Sequence, residues 1–185
     1  MAKIPIILKT VNCNDGTVDT FVEVNKNSTN ANDKVQAFVD VFRNAANKAS
    51  TLCYGLPQKV ILAQWGGESG WATGATQRNN QNWANIVYTS STNPVGNVGK
   101  GTNGWAKFEG INKFSTGYGK FFVNNSRYSE LITYLKNCQN NNIEPVVNTC
   151  IRYIANAGYG GADHDGYYNS VVGWVSTLVN RSDID

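Results

Sequence analysis

Apolar residues that recur every three to four positions constrain this chain more than any other feature, because that spacing suits helices packed on a shared core. Val35, Phe38, Val39, Phe42 and Ala46 hold the spacing through about Ser50, with Asn32 or Asp33 placed to cap the helix. After Gly55, Pro57 suits a first helical turn, and the run VILAQW at residues 60–65 predicts a largely buried helix. Tyr128, Leu131, Ile132, Leu135 and Cys138 make a further stripe. Val147, Cys150, Ile151 and Ile154 follow Pro145 as another, and a last helix runs from about Tyr167 through Val171, Val172, Val175 and Leu178.

The N-terminal segment has a different period. Residues 4–24 predict two strands about an Asp15-Gly16 turn, the second with Val18, Thr20, Val22 and Val24 on one face. Residues 25–32 form a polar loop. Residues 83–107 are rich in Thr, Ser, Asn and Gly around the short β-prone pieces NIVYT and WAKF, which predicts a hairpin or loose lobe on a helical body. The expected class is α+β, mostly helical, in one domain over residues 1–185. Residues 1–30 would be a hairpin extension and residues 31–180 the core.

Charged residues make up only 16% of the chain, so its polar surface must come from neutral groups, chiefly Asn, Ser, Thr and Gly. Neutral hydrogen-bonding groups with nine Tyr and five Trp suit a carbohydrate, whose hydroxyls need partners and whose CH faces need aromatic platforms. A net charge of +3 from scattered cations gives no basic stripe for nucleic acid, but it favours approach to an anionic polymer such as a bacterial wall. No apolar run is long enough for membrane insertion, and the opening MAKIPIILKTVNCNDG ends in a polar turn, so no signal peptide is expected. Cys13, Cys53, Cys138 and Cys150 lack a CxxC pair or histidine companions, which argues against zinc and leaves two disulfides or free buried thiols. Cys138 and Cys150 could meet across the NNN turn, a staple worth about 3 kcal/mol, with Cys13 and Cys53 as the second pair.

Glu68 stands alone in AQWGGESGWATGATQRNNQNW, between a buried helix and an aromatic, Asn-rich loop. Cutting a glycosidic bond requires a proton on the leaving oxygen, and a carboxylic acid supplies it near neutral pH when apolar surroundings raise its pKa. Trp65 and Trp71 are candidates for those surroundings, and Gly66 and Gly67 would end the helix and leave room for a bulky substrate. The alternative role for Glu68 is a helix-end cap or ion pair.

Glu68-Ser69-Gly70-Trp71 after Ala-Gln, then Asn79-Asn80, then Asn85-Ile86, resembles the motif A-Q-x-x-x-E-S-G-W-G…N-N-L-F-G-I-K of the bacterial glucosaminidase family. That family includes flagellar rod-type muramidases and autolysins of the lysozyme-like superfamily. KFEGINKFSTGYGKFFVNNSRYSEL is similar to the family's R-x-Y-x-S-F-x-x-S-F-x-D-Y-x-x-F-L…R-Y segment, and AGYGGADHDGYYNSVVGWV to its G-Y-A-T-D-P-x-Y-A-x-K-V segment. The resemblance covers residues 57–180. It implies a lysozyme-like fold with a small β-lobe, Glu68 as catalytic acid and Tyr159 as the tyrosine closing the cleft. It further implies substrate contacts from Ser69, Trp71, Asn80, Trp83 and Tyr118, with Tyr118 and Phe121 on a helix behind the groove.

The resemblance has departures. Ala72 replaces a glycine, Trp83 a phenylalanine and Val87 a lysine. No Asp or Glu lies between Glu68 and Glu109, so Glu109 is the nearest candidate for a second catalytic carboxylate, and an exposed loop acid is its alternative role. Asp163, His164 and Asp165 fit neither a zinc spacing nor a full calcium loop, so no metal and no cofactor is expected there. The expected activity is an endo-β-N-acetylglucosaminidase on peptidoglycan. The alternatives are a lytic transglycosylase or muramidase on the same polymer, or an inactive wall-binding module. The expected setting is a monomeric type VI effector acting in a target periplasm, with a cognate immunity protein in its cleft, or a phage lysin.

Overall fold

The computed structural model describes residues 6–25, 34–91 and 93–185. Strands β1 (Ile6–Asn12) and β2 (Val18–Val24) pair antiparallel, with Ile6 opposite Val24 and Asn12 opposite Val18. Helices follow as α1 (Lys34–Leu52), α2 (Gln58–Ser69), α3 (Ala75–Asn80), α4 (Ile111–Asn124), α5 (Ser129–Asn140), α6 (Val147–Asn156) and α7 (His164–Arg181). The expected mostly helical α+β class with an N-terminal hairpin is the observed one. The expected cap at Asn32 or Asp33 and nearly all of the polar loop lie outside the described residues. Among the described residues no helix is long and apolar enough to cross a membrane.

Helix α2 is the axis of the fold. Residues 60–66 are all buried, because α1, α6 and α7 pack around them and leave no solvent face. Trp65 projects into an aromatic cluster, its ring 4.7 Å from Phe114 and 5.1 Å from Tyr118, while Phe38 and Phe42 stack at 4.3 Å on the neighbouring face. Phe114 and Tyr118 belong to α4, a helix that apolar spacing did not predict. Gly117 and Gly119 lower its intrinsic propensity, yet they are what seats it. A Cβ on Gly119 would lie 2.8 Å from Leu52 Cβ and 2.9 Å from the Ala49 carbonyl, so only glycine lets α4 lie this close to α1.

The hairpin departs from simple alternation. Val18 is 63% exposed, whereas Asp19 and Val22 are buried. Tertiary contacts outweigh the two-residue period here. Asp19 Oδ1 accepts the Asn112 N–H at 2.9 Å and Oδ2 accepts the Lys113 N–H at 2.8 Å, so a strand residue caps the first turn of α4. Gln81 holds β2 from the other side, accepting the Val22 N–H at 2.8 Å and donating to the Val22 carbonyl at 2.9 Å.

The small lobe has no regular strand among its described residues, only isolated bridges between Val87 and Trp105 and between Lys100 and Ala106. Buried amides take the place of a sheet. Asn80 exchanges hydrogen bonds with the Thr102 backbone, and Asn82 donates to the Ile86 and Ala106 carbonyls.

The expected disulfides are not formed: Cys13, Cys53, Cys138 and Cys150 are all buried free thiols. Cys13 sits under the hairpin turn with Thr17, Asp19, Glu109 and Lys113 around it, whereas Cys53 lies in the core beside Cys150, so the proposed Cys13–Cys53 pair is separated by the fold itself. Cys138 does neighbour Cys150, as the turn implied, but without a bond. Burial pushes the Cys53 and Cys150 thiols up to about 12, which keeps them protonated and unreactive.

Candidate active site

Helix α2 runs through Gly66 and Gly67 to Ser69 rather than ending at the glycines. Gly70 ends it in a left-handed conformation (φ 60°), with N–H bonds back to the last carbonyls. A Cβ on Gly66 would overlap the Trp71 indole, and one on Gly67 the Trp174 indole. The paired glycines therefore make room for tryptophans of the fold and not, as expected, for substrate. Their effect is to present Glu68 on the last turn of the central helix.

Glu68 is half-buried and both carboxylate oxygens are held. Asn85 Nδ2 donates to Oε2 at 2.7 Å, and the Tyr167 hydroxyl donates to Oε1 at 3.1 Å. Burial raises the Glu68 pKa above its ordinary value, and these two hydrogen bonds, which favour the carboxylate, oppose the rise without cancelling it.

Both donors are aimed by a second set of side chains. Gln77 Nε2 donates to Asn85 Oδ1 at 2.9 Å, which turns the Asn85 amide nitrogen toward the acid. The Tyr118 hydroxyl donates to Gln64 Oε1, and Gln64 Nε2 in turn donates to the Tyr167 oxygen at 2.7 Å. An oxygen that already receives an N–H sends its own hydrogen elsewhere, here to Glu68. The chain from Tyr118 through Gln64 and Tyr167 to Glu68 thus has one direction.

Beside Asn85 lies a groove of about 410 Å³, with Ile86, Thr89, Phe121, Arg127 and Tyr159 on its walls. No carboxylate among the described residues lines it. Its walls carry amides, hydroxyls, aromatic rings and the Arg127 guanidinium, and its Asn85 reaches from the groove to the protonatable Glu68.

The residues expected from sequence divide sharply. Glu68 does not itself line the groove but is held by Asn85, which does. Tyr159 lines it, but its hydroxyl is spent on the Ala84 carbonyl at 2.6 Å, and its ring stacks on Tyr167 with centroids 5.8 Å apart. Ser69, Trp71, Asn80, Trp83 and Tyr118, expected as substrate contacts, are instead buried parts of the scaffold. Ser69 bonds the Trp65 carbonyl, Trp71 packs on Phe38, Asn80 pins the lobe, Trp83 packs on Phe42, and Tyr118 orients Gln64. Trp65 likewise turns into the core rather than walling the acid.

Glu109 is engaged at the hairpin turn, where Oε1 accepts the Asn14 N–H at 2.7 Å, and it is absent from the groove. Cys13, Asp15 and Glu109 bring possible metal ligands together, but Lys113 pairs with Asp15 and Asn14 with Glu109, so internal donors already serve the cluster. Asp163 is the N-cap of α7, accepting the Gly166 N–H at 2.9 Å, which makes ADHDG the start of a helix rather than a loop.

Tyr167, Gln64 and Gln77 were missed as site residues. Tyr167 had a signal, since it sits in the segment similar to the family's second tyrosine-bearing stretch, and Gln64 had one as the glutamine of the A-Q-x-x-x-E motif; Gln77 had none beyond its closeness to Glu68 in sequence.

A central buried helix with an acid on its last turn, beside a small irregular lobe and a groove lined by amides, hydroxyls, aromatic rings and one arginine, is the arrangement of a lysozyme-like domain. The family model for Glucosaminidase, described as mannosyl-glycoprotein endo-beta-N-acetylglucosaminidase, matches residues 43–179, and the chain belongs to this family. It is also similar in fold to a chain in the solved structure of a type VI secretion system effector-immunity complex from Pseudomonas protegens. The TM-score there is 0.58 and the identity 16%, over 82% of this chain and 95% of that one. No curated protein matches the sequence.

Proposed function

We propose that this protein is a peptidoglycan hydrolase that cleaves the β-1,4 bond between N-acetylglucosamine and N-acetylmuramic acid, with Glu68 as its proton donor. The observation that carries the proposal is the half-buried Glu68 carboxyl, held by Tyr167 and by Asn85, the latter lining a groove without carboxylates among the described residues. Family membership supports the same class of reaction.

In this mechanism the bond between the anomeric carbon and the leaving oxygen breaks as Glu68 protonates that oxygen. With no carboxylate lining the groove among the described residues to act as a nucleophile beside Glu68, the N-acetyl carbonyl oxygen of the substrate attacks the anomeric carbon and forms a cyclic oxazolinium intermediate. Water then opens the ring, giving up its proton to the Glu68 carboxylate and restoring the acid. Tyr167 steadies Glu68 in both protonation states. Tyr159 serves as a wall of the groove rather than as a charged group's partner.

The similarity to a chain of an effector-immunity complex supports delivery as an antibacterial effector into the wall compartment of a target cell, with an immunity protein covering the groove. Mass spectrometry of the released fragments after borohydride reduction tests the cut. Reduced N-acetylglucosamine ends are expected. Reduced muramic acid ends would assign a muramidase, 1,6-anhydro-muramic ends a transglycosylase, and no release at all an inactive binding module.

A further inference from the structure

Among the described residues, Arg127 is the only charged side chain lining the groove. It belongs to a short 3-10 turn (Ser126–Tyr128), which Asn125 caps by accepting the Arg127 N–H at 3.2 Å. The side chain is exposed, and none of the ion pairs among the described residues uses its guanidinium. Its Nη1 lies 4.0 Å from the place a Cβ on Gly158 would take, and Gly158 adopts a φ of +78° on the groove wall. The guanidinium therefore lies beside the Gly158 backbone on the groove wall.

Arg127 and Tyr128 also line a second hollow, of about 270 Å³, together with Glu130, Tyr153 and Asn156. The two spaces therefore meet at Arg127. The first is neutral apart from this cation. The second combines a cation, a carboxylate, aromatic rings and an amide, a set suited to a short charged peptide rather than to a sugar.

A plain glycan has no use for a cation at this junction. Peptidoglycan does have a matching group, since every muramyl residue carries a branching peptide with free carboxylates. We propose that Arg127 and the adjoining hollow form a subsite for the acidic peptide branch of the glycan. Arg127 would pair with a branch carboxylate, and Glu130 would accept from a branch amino group. The proposal rests on the assignment of the groove to peptidoglycan, and it adds a determinant that separates this polymer from chitin-like ones. An exposed charge-assisted contact of this kind is worth about tenfold in affinity and weakens as salt screens it.

Binding is measured calorimetrically on the full chain carrying Glu68→Gln, so that ligands stay intact. The ligands are soluble peptide-bearing strands, the same strands stripped by an amidase so that only lactyl carboxylates remain, and neutral chito-oligosaccharides. Peptide-bearing strands should bind about tenfold more tightly than either of the others. Adding Arg127→Gln should remove that difference, Arg127→Lys should restore part of it, and raised salt should shrink it. Equal affinity for all three ligands, unaffected by Arg127→Gln, overturns the peptide subsite and leaves the glycan groove standing. Equal affinity for peptide-bearing and stripped strands, lost together in Arg127→Gln, overturns it in favour of the lactyl carboxylate. Failure to bind any of them, with the unmodified protein inert on walls, removes the assignment of the groove itself.

Discussion

The Tyr167 hydroxyl donates to Glu68 Oε1 at 3.1 Å across 99 residues of sequence. The contact joins the end of α2 to the second turn of α7, two helices that pack directly on each other. Its direction is inherited from Gln64 and Tyr118, which leave the Tyr167 oxygen no other place to send its hydrogen. Glu68 is therefore under two opposed influences. Burial favours the protonated acid, the two donors favour the carboxylate, and burial prevails.

Replacing Glu68 with Gln should lower lysis of purified walls by about 10²–10⁴-fold, because the amide keeps the shape of the side chain but cannot deliver the proton. Circular dichroism should show the helical content unchanged. A variant that retains near-normal lysis would remove Glu68 from the mechanism.

The pH profile follows from the sign of the shift. A proton donor works in its protonated form, so kcat/KM should fall as pH rises through the Glu68 pKa, which lies above the ordinary value of 4.5. Tyr167→Phe deletes a hydrogen bond that favours the carboxylate. The basic limb of the profile should then move to higher pH while kcat drops. A limb that moves to lower pH contradicts the geometry described here.

Gln64→Glu reverses the polarity of the chain at nearly constant volume. The new carboxylate oxygen accepts where Gln64 Nε2 donated, drawing the Tyr167 hydrogen away from Glu68, and its charge further disfavours ionisation of Glu68. The basic limb should again move upward. Tyr118→Phe, which only frees the Gln64 amide to turn over, should produce a smaller shift in the same direction. If Tyr167→Phe moves the limb and neither of these does, Gln64 and Tyr118 are packing residues and nothing more.

Gly67→Ala tests the account of the paired glycines. The added methyl would overlap the Trp174 ring, so stability should fall by about 1–3 kcal/mol in denaturant titration, with a change in tryptophan emission. Unchanged stability would mean that α2 and α7 can separate at little cost.

Asp19→Ala tests the capping of α4 from the hairpin. Loss of the acceptor leaves the Asn112 and Lys113 amides unpaired, for a cost of about 1–2 kcal/mol in thermal unfolding. A cost near zero would show that water replaces the carboxylate.

Much of the helical body could be read from apolar spacing. The stripes on α1, α5 and α6 are the buried faces of the structure, because a helix stripe forms from residues close in sequence and its burial needs only some apolar partner. Helix α4 was expected only from the family resemblance and not from spacing, because Gly117 and Gly119 have poor propensity that close contact with α1, a contact between distant segments, overrules. The exposure of Val18 and the burial of Asp19 were not legible for a similar reason: Asp19 is buried because helix amides 93 and 94 residues away need an acceptor.

The sequence by itself singled out Glu68 as the candidate acid. A lone glutamate at the end of an apolar helix, followed by Ser-Gly-Trp and the Asn-rich loop, marks it, since those residues are close in sequence and the proposed chemistry belongs to one side chain. Only the tertiary structure decided which tyrosine serves that acid and which aromatic residues are scaffold. Tyr159 and Tyr167 lie eight residues apart in similar polar surroundings, so composition and spacing do not separate them. What separates them is where α7 packs on α2, which leaves one hydroxyl on a backbone carbonyl and aims the other at Glu68. Tertiary packing with α1, α2 and α4 likewise closes over Trp71, Trp83 and Tyr118, because large rings bury more surface in the core than in a groove kept open to solvent.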